Sequence, residues 1–319
     1  MKLLVTGGAG FIGSHLCERL LADGHEVVCF DNFCDYYDPA IKEANLEHAL
    51  ANERFTLVRG DLRRSEDLAA LFAGHCFDVV VHLAAMAGVR PSIEDPALYY
   101  AVNVTGTMNL LEACRTHETE RFVFASSSSV YGNNRKVPFA EDDNVDFPIS
   151  PYAATKKACE LMCNAWHHLH GISMAVLRFF TVYGPRQRPD LAIHKFARLM
   201  LNGEEIPVYG DGSTRRDYTY VDDILQGITA AIDYVREGHR YEIFNLGESQ
   251  TISLSQMIAT LEKTLGVEAK LRRLPTQPGD VEQTFADISK SRRALDYNPQ
   301  TRFDEGVGKF VNWLRNRHV

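Results

Sequence analysis

Short apolar runs rich in β-branched residues alternate with amphipathic segments along the first part of the chain. Strands are predicted at residues 2–6, 26–31, 55–59, 79–83, 121–125 and 174–179. Between the first two, Leu16, Leu20 and Leu21 share one face of a predicted helix that ends at Gly24. Val79-Val80-Val81 is apolar without alternation, as in a strand covered on both faces. The pattern is typical of βαβ units and predicts a doubly wound parallel α/β sheet.

Beyond residue 179 the pattern becomes irregular, with segments rich in Gly, Pro and Arg. Helices are predicted at 193–202, 221–235 and 254–265, and we expect them to form a smaller mixed α/β C-terminal lobe. Residues 242–246 are expected to return to the first sheet. The predicted first domain is therefore residues 1–180 plus about 218–247, and the second is residues 181–217 and 248–319.

The composition of the 319 residues is that of a globular protein, with 45% hydrophobic residues and a net charge of −8 from 34 Lys+Arg and 42 Asp+Glu. This negative balance argues against nucleic acid or an anionic membrane as the main partner, since either requires a positive surface. No apolar run approaches the roughly 20 residues of a membrane span, and the start of the chain lacks a signal-peptide core, so a cytoplasmic protein is expected. The seven cysteines include no Cys-x-x-Cys pair, which favours reduced thiols and predicts no metal site.

A glycine-rich turn follows the first predicted strand. Gly7-x-x-Gly10-x-x-Gly13 leads into the first helix, whose start includes Phe11 and Ile12. Glycines there let the backbone approach a pyrophosphate, whose charge is bound by the N–H groups of the helix start. Because the spacing differs from Gly-x-Gly-x-x-Gly, the turn alone is weak support for a nucleotide site.

An acidic residue at the end of the second predicted strand strengthens this interpretation. Asp31 lies 18 residues after Gly13, where a carboxylate accepts hydrogen bonds from an adenosine ribose. The carboxylate would repel a 2′-phosphate, and Asn32 follows it in place of an arginine, so NAD is the predicted cofactor rather than NADP. The residues that follow the third and fourth strands are expected near the adenine and riboses, namely Asp61, Leu62, Leu83, Ala84 and Ala85. The alternative is a tight βα turn with a capping aspartate.

A tyrosine and a lysine lie one turn apart at the start of a long predicted helix, at Tyr152 and Lys156. A cation there stabilises phenolate, so the tyrosine, with an ordinary pKa of about 10, is predicted to accept a proton closer to neutral pH. Serines 126–129 directly follow the fifth predicted strand, at its carboxyl end, where their hydroxyls can hydrogen-bond a reacting alcohol. A surface helix pair and a hydroxyl-rich turn are the alternatives.

Three motifs together resemble the extended short-chain dehydrogenase/reductase family over essentially the whole chain. They are Gly7-x-x-Gly10-x-x-Gly13, Ser127 with Tyr152-x-x-x-Lys156, and Arg178-Phe179-Phe180-Thr181-Val182-Tyr183-Gly184-Pro185. Within this family the chain is similar to nucleotide-sugar 4-epimerases. The resemblance implies a Rossmann-type domain that binds NAD, a C-terminal lobe that binds a UDP-sugar, and a homodimer joined through helices at about 98–116 and 150–170.

The resemblance also implies roles for individual residues. Tyr152 corresponds to the catalytic base, Lys156 to its partner that also binds the nicotinamide ribose, and Ser127 to the ligand of the substrate hydroxyl. Asn103 corresponds to a family asparagine near the cofactor. The implied sugar-nucleotide ligands are Arg90, Gln277, Arg216 for the phosphates and Asp280 for the uridine ribose. A salt bridge is the alternative role of Arg216, and a turn cap is the alternative role of Asp280.

The segment around Ser127 favours epimerisation over dehydration. Dehydratases of this family resemble Thr-Asp-Glu-Val-Tyr-Gly, whereas this chain has Ser127-Ser128-Ser129-Val130-Tyr131-Gly132. No side chain in this segment is suited to abstract the C5 proton of the sugar. Epimerisation instead needs hydride transfer from C4 to NAD, rotation of the 4-keto sugar, and return of the hydride to its other face.

Two segments resemble UDP-glucuronate 4-epimerases in particular, residues 35–39 (Asp-Tyr-Tyr-Asp-Pro) and residues 181–190. Arg188 corresponds to the ligand of the sugar carboxylate, which a guanidinium binds through two parallel hydrogen bonds. Oxidation of glucuronate at C4 creates a β-keto acid that can lose carbon dioxide. Arg188, Thr181 and Ser128 are predicted to hold the carboxylate against this loss. A phosphate or a neighbouring loop is the alternative partner of Arg188.

Other activities stay open at the level of sequence. Thr284 resembles a small replacement for a bulky pocket wall, and Gln277 replaces an arginine, so UDP-glucose and UDP-N-acetylglucosamine are alternative epimerase substrates. UDP-glucuronate decarboxylases share the C4 oxidation but usually have asparagine at the position of Thr181. A net-oxidising dehydrogenase would require added NAD. A non-catalytic NAD sensor would have no need for the intact serine, tyrosine and lysine.

Overall fold

The fold is described by a computed structural model, which covers residues 1–275 and 281–317. The strands are β1 (Lys2–Thr6), β2 (Glu26–Asp31), β3 (Phe55–Arg59), β4 (Val79–His82), β5 (Arg121–Ser127), β6 (Ser173–Phe179), β7 (Thr181–Tyr183), β8 (Glu205–Tyr209), β9 (Arg215–Tyr220), β10 (Tyr241–Leu246), β11 (Thr251–Ser253) and β12 (Lys270–Leu274). The helices are α1 (Phe11–Ala22), α2 (Pro39–Asn45), α3 (Glu47–Leu50), α4 (Ser65–Gly74), α5 (Val89–Glu94), α6 (Pro96–Tyr99), α7 (Gly106–Thr116), α8 (Pro151–His170), α9 (Ala192–Leu201), α10 (Val221–Tyr234), α11 (Leu254–Leu265), α12 (Ser289–Leu295) and α13 (Phe303–Arg317). A π-helical turn, Tyr100–Thr105, joins α6 to α7, and a 3₁₀ turn, Ser128–Tyr131, follows β5.

Seven strands form one sheet in the order β10-β6-β5-β4-β1-β2-β3, with every neighbouring pair parallel. The predicted doubly wound α/β sheet is confirmed, and the six predicted strands differ from the observed ones by at most two residues at either end. The predicted return of residues 242–246 is also confirmed, since β10 pairs with β6. The strand order reverses between β1 and β4, and this opens a crevice at the carboxyl ends of the strands.

Apolar side chains cover both faces of the seven-stranded sheet. Leu3 belongs to one core cluster and its chain neighbour Leu4 to the other. This alternation follows from the period of two along a strand. In β4, Val79 and Val81 lie in the first cluster and Val80 in the second, which explains the apolar run without alternation. With both faces covered, polar chemistry is concentrated at the strand ends.

Two smaller sheets lie in the second half of the chain. β11, β9 and β7 form a three-stranded sheet, and β12 pairs with β8. The three predicted helices are confirmed as α9, α10 and α11, with bounds within one residue. The sequence pattern does not predict the five short strands. They have only three to six residues, and two of them include the charged pairs Arg215-Arg216 and Arg272-Arg273.

The helices predicted at 98–116 and 150–170 are both present. α6, the π-helical turn and α7 follow one another without a break, and Ser150 caps the start of α8. α7 and the π-helical turn pack against α8. Within residues 1–275 and 281–317, no helix combines the length and the hydrophobicity that crossing a bilayer requires.

Candidate active site

The glycine turn between β1 and α1 is packed so tightly that side chains do not fit. A Cβ atom on Gly13 would lie 2.2 Å from the Gly7 carbonyl oxygen, and one on Gly7, whose φ is +70°, would lie 2.7 Å from the Ala84 nitrogen. Gly10 is the N-cap of α1, and in the described part of the chain no side chain caps this helix start. The first N–H groups of α1, at Phe11 and Ile12, therefore suit a ligand anion.

Asp31 is held at the end of β2 by two backbone N–H groups. Its Oδ2 accepts from the Ala9 N–H at 3.1 Å and its Oδ1 from the Phe33 N–H at 2.8 Å. The side chain is buried, and each oxygen keeps a second lone pair for a ribose hydroxyl. The sequence predicted the residue, and the structure shows that the glycine turn itself orients the carboxylate.

The other predicted cofactor residues lie at neighbouring strand ends. Asn32 donates from Nδ2 to Asp61 Oδ2 at 3.1 Å. Hydrogen bonds from Arg63, at 2.6 Å for the closest, lower the Asp61 pKa to about 2. Leu62 is buried after β3, and the segment Leu83, Ala84 and Ala85, which follows β4, is partly exposed. The side chains of Asp31, Asn32 and Asp61 therefore form a rim of carboxylate and amide groups next to the start of α1.

These features fit a dinucleotide. The Gly7–Gly13 turn leaves backbone rather than side chain against the helix start, and the Asp31 carboxylate marks a hydroxyl-binding position. No cluster of three or more His, Cys, Asp or Glu side chains in residues 1–275 and 281–317 is arranged to bind a metal ion. The donor set is therefore that of an anionic, ribose-containing ligand.

Gly13→Ala is expected to abolish retention of NAD by the purified protein. The new methyl group would meet the Gly7 backbone at 2.2 Å, which forces the turn open and misaligns the N–H groups of α1. Gly74→Ala is the matched control, because no atom lies within 4 Å of its added methyl group. Released cofactor is measured by absorbance after denaturation, and retained NAD in Gly13→Ala would contradict this role of the turn.

Tyr152 and Lys156 lie on the first turns of α8 and project toward β5. Ser150 Oγ accepts from the Ala153 N–H at 3.1 Å and fixes where the helix begins. Lys156 Nζ donates to the Ala125 carbonyl at 2.6 Å, and burial lowers its pKa to about 8. Tyrosine, lysine and the end of β5 therefore meet in one place, as the sequence predicts.

The pKa of Tyr152 differs from the sequence-based expectation. Burial raises it above the ordinary value for a phenol, and this effect exceeds the lowering by the nearby Ser127 hydroxyl and by the charge of Arg188. In the protein alone, Arg188 is the cation that favours the phenolate.

Arg188 lies among residues from three segments. Its Nε and Nη2 donate to the Asp190 carboxylate at 3.0 and 2.7 Å, and Nη2 also reaches the Ala87 carbonyl at 3.4 Å. The guanidinium carbon is 5.1 Å from the centre of the Tyr36 ring. The two segments that resemble glucuronate epimerases, 35–39 and 181–190, therefore converge beside Tyr152.

Tyr99 is a site residue that the sequence analysis missed. Its ring lies 6.2 Å from the Tyr152 ring in an edge-on arrangement, and its hydroxyl donates to the Ala87 carbonyl at 3.2 Å. It thus contacts both the Tyr152 ring and the loop that reaches Arg188. Three tyrosines near one arginine are visible in the structure, but Tyr99 has no motif in the sequence that marks it.

Asn103 has a structural role that the resemblance did not imply. Its Oδ1 accepts from the Met86 N–H at 2.8 Å, and its Nδ2 donates to the Met86 carbonyl and to Thr155 Oγ1, both at 3.0 Å. The side chain is 2% exposed. It therefore ties the π-helical turn to α8 and to the loop after β4, and contact with the cofactor stays a prediction.

The remaining predicted residues occupy separate positions. Ser128 and Thr181 are partly buried and begin the 3₁₀ turn and β7. Arg90 lies on α5 with its guanidinium carbon 4.7 Å from the Tyr209 ring centre, and Arg216 donates to the Arg215 carbonyl at 2.8 Å. Gln277 and Asp280 lie outside the described residues.

Thr284, on which the N-acetyl alternative depended, is buried. Its Oγ1 accepts from the Asp217 N–H at 3.1 Å, so its side chain is bonded to β9. The Asp217 carboxylate accepts hydrogen bonds from the N–H groups of Glu248, Ser249 and Ala286. The Thr284 hydroxyl therefore joins its own segment of the chain to β9 in the three-stranded sheet.

Known proteins match this chain over nearly its full length. A model of the family described as GDP-mannose 4,6 dehydratase matches residues 4–310. A UDP-glucuronate 4-epimerase from Thermodesulfobacterium geofontis is 42% identical over 313 residues, covering 98% of this chain and 95% of that protein. A UDP-glucuronic acid 4-epimerase from Bacillus cereus, in complex with UDP-glucuronic acid and NAD, has a TM-score of 0.94 at 38% identity, covering 99% of this chain and 100% of that one.

A UDP-glucose 4-epimerase from Thermotoga maritima, with UDP-glucose, is also similar, with a TM-score of 0.91 at 31% identity and full coverage of both chains. The matches include both the seven-stranded sheet and the two smaller sheets, so they do not rest on the nucleotide turn alone. They agree with the motifs at Ser127, Tyr152 and Lys156. The chain therefore belongs to the family described as GDP-mannose 4,6 dehydratase and, within the extended short-chain dehydrogenase/reductases, to the nucleotide-sugar 4-epimerases.

Proposed function

We propose that the chain is an NAD-dependent UDP-glucuronate 4-epimerase, which interconverts UDP-glucuronate and UDP-galacturonate. The observation that supports this most directly is the placement of Arg188 close enough to Tyr152 to favour its phenolate. In a glucuronate, the carboxylate and the C4 hydroxyl are on adjacent ring carbons. A guanidinium next to the proton-accepting phenol suits this arrangement, since the guanidinium binds the carboxylate while the phenol contacts the C4 hydroxyl.

Tyr152 is assigned as the base that takes the proton of the C4 hydroxyl. Ser127 hydrogen-bonds the same hydroxyl, and Lys156, oriented by the Ala125 carbonyl, binds the nicotinamide ribose. Bound NAD supplies the hydride acceptor and donor at C4. Since the hydride returns to the other face of the keto sugar, no base is needed at C5, and Ser128 and Ser129 stand where a dehydratase has acidic residues.

Arg188, Thr181 and Ser128 are assigned to the sugar carboxylate. A guanidinium has five N–H donors, and Asp190 accepts only two of those on Arg188, at 3.0 and 2.7 Å. Held by such contacts, the C5–C6 bond is kept out of alignment with the ketone at C4. This restrains the loss of carbon dioxide to which a β-keto acid is prone.

The nucleotide ends of both ligands are assigned to the rim of the crevice. For NAD the assigned residues are Gly7, Gly10, Phe11, Ile12, Gly13, Asp31, Asn32, Asp61, Leu62, Leu83, Ala84, Ala85, Asn103, Tyr152 and Lys156. For the UDP group they are Arg90, Arg216, Gln277 and Asp280. The helix start with no side-chain cap and the paired carboxylate of Asp31 support the first set.

The proposal is tested by incubating the purified protein, without added NAD, separately with UDP-glucuronate, UDP-glucose and UDP-N-acetylglucosamine. Products are identified by chromatography. UDP-galacturonate is the expected product of the first reaction. Conversion of only the neutral sugars would keep the epimerase and reject the carboxylate assignment. UDP-xylose or its 4-keto precursor would instead show a decarboxylase, and a requirement for added NAD would favour a dehydrogenase.

We also propose that the chain forms a homodimer through α7 and α8. Large apolar side chains are exposed along this surface, with Met108 at 41%, Leu161 at 58% and Leu169 at 67% exposure. Leu161 and Leu169 are eight residues apart, on one face of α8. Exposed apolar side chains on two packed helices suit a helical interface between two copies.

Leu161→Glu is expected to convert the dimer to a monomer. In a twofold interface the change buries one added negative charge from each copy, which weakens association by about 3 kcal/mol, or roughly 100-fold. Sedimentation equilibrium measures the dissociation constant. Leu50→Glu is the control, because Leu50 is 55% exposed but lies on α3. An unchanged constant in Leu161→Glu would place the interface elsewhere.

A further inference from the structure

A buried ion pair lies next to the proposed reaction residues but is not used by the reaction. The side chains of Arg178 and Glu160 are each 1% exposed. Arg178 donates from Nε to Oε1 and from Nη2 to Oε2 of Glu160, both at 2.9 Å. Burial of such a pair costs much of what its attraction returns, so stability alone is a weak reason for its presence.

The pair joins one helix to two strands. Glu160 follows Lys156 by one turn of α8, while Ser126 on β5 and Arg178 on β6 are register partners. Oε1 of Glu160 accepts from Ser126 Oγ at 2.6 Å as well as from Arg178. A single carboxylate therefore fixes α8 against both strands, at the residue immediately before Ser127.

Arg178 extends these contacts to the turn that follows Ser127. Its Nη1 donates to Tyr131 Oη at 3.0 Å, and Tyr131 Oη donates to Asn245 Oδ1 on β10 at 2.7 Å. Ser127 and Ser128 thus lie between two anchored points, Ser126 on one side and Tyr131 on the other. The end of β5, the 3₁₀ turn and α8 all meet in this network. Its loss would therefore let these three elements shift relative to one another.

We propose that Glu160 and Arg178 are positioning residues, which set the distance between Ser127 on β5 and the Tyr152–Lys156 pair on α8. The inference rests on the proposed function in that these three residues perform the proton transfer. Neither member of the pair needs to touch the substrate. Small errors in the placement of reacting groups cost as much as 100-fold in rate, so the pair has a large effect through geometry alone.

The test compares two variants with native protein. Ser126→Ala removes only the hydroxyl link, and Glu160→Gln/Arg178→Met removes both charges together so that no unpaired charge stays buried. Both are expected to lower kcat by about tenfold or more, with KM for the UDP-sugar within about twofold of native. Amide hydrogen exchange is expected to become faster at residues 125–129 and 151–157. Leu71→Ala, a buried residue of α4, is the control for lost stability alone.

The two hypotheses fail in different ways. If kcat and exchange in both variants match those of Leu71→Ala, the pair is only structural and the positioning proposal is wrong. If native protein converts none of the UDP-sugars, the proposed function is wrong, and hydrogen exchange still decides whether the pair holds β5 and α8 together. Faster exchange with a normal kcat in the active enzyme would also overturn the inference.

Discussion

Tyr152→Phe is expected to lower kcat for 4-epimerisation by about 10³-fold, because it removes the group that accepts the C4 hydroxyl proton. The ring stays, so its edge-on packing against Tyr99 at 6.2 Å is retained. KM and thermal stability are therefore expected to change little. The rate of epimer formation in single-turnover and steady-state incubations, followed by chromatography, measures the loss.

Tyr234→Phe is the matched control for this prediction, since Tyr234 lies on α10 and packs against Phe244, away from the proton-transfer residues. Its kcat is expected to equal that of native protein. Less than a tenfold loss in Tyr152→Phe would show that another group accepts the proton. In that case Ser127 would be the next residue to test.

Arg188→Ala is expected to lower kcat/KM for UDP-glucuronate by about 100-fold and to raise the share of decarboxylated pentose among the products. A hydrogen bond to a charged group contributes about 1.5–3 kcal/mol, and this variant loses the proposed pair to the carboxylate. The freed C6 group can then align with the C4 ketone. Chromatography of UDP-galacturonate and UDP-pentose measures both effects, and an unchanged ratio would reject the restraint assigned to Arg188.

Arg188→Ala is also expected to move the pH profile of kcat. Arg188 lowers the Tyr152 pKa, so its removal raises that pKa. The base acts when it is deprotonated, and the rising limb of the profile therefore shifts to higher pH. Arg188→Lys keeps the charge but not the paired donors, so it should retain most of the pH profile while losing control of decarboxylation.

The nucleotide half of the site was predictable from sequence because its chemistry is local. Gly7 and Gly13 belong to one βα turn, and Asp31, at the end of the adjacent strand β2, accepts the Ala9 N–H of that turn. Helical spacing puts Tyr152 and Lys156 on one face of α8, and the serines that follow the fifth predicted strand supported their role. In each case the relevant geometry lies within a few residues, or is imposed by a parallel sheet that the alternation of segments had already indicated.

The surroundings of these residues were not predictable because they depend on distant contacts. The Lys156 ammonium group binds a backbone carbonyl of β5, which no side-chain pattern encodes. Burial of the Tyr152 phenol by residues distant in sequence raises its pKa, where the sequence predicted a lowering. Tyr36 and the Ala87 carbonyl reach Arg188 from distant parts of the chain. The five short strands of the second half lack enough residues to show an alternating pattern.

The position of β10 has a consequence for how the protein is made. β6 ends at Phe179, but its outer neighbour in the sheet, β10, begins only at Tyr241. A nascent chain that has left the ribosome as far as β6 therefore presents an unpaired apolar strand edge, with the Arg178 charge not yet enclosed. About 60 further residues must emerge before this edge is covered, several seconds at typical rates of synthesis. During that interval the sheet is open to wrong partners, so chaperone contact is expected to concentrate on this stage of synthesis.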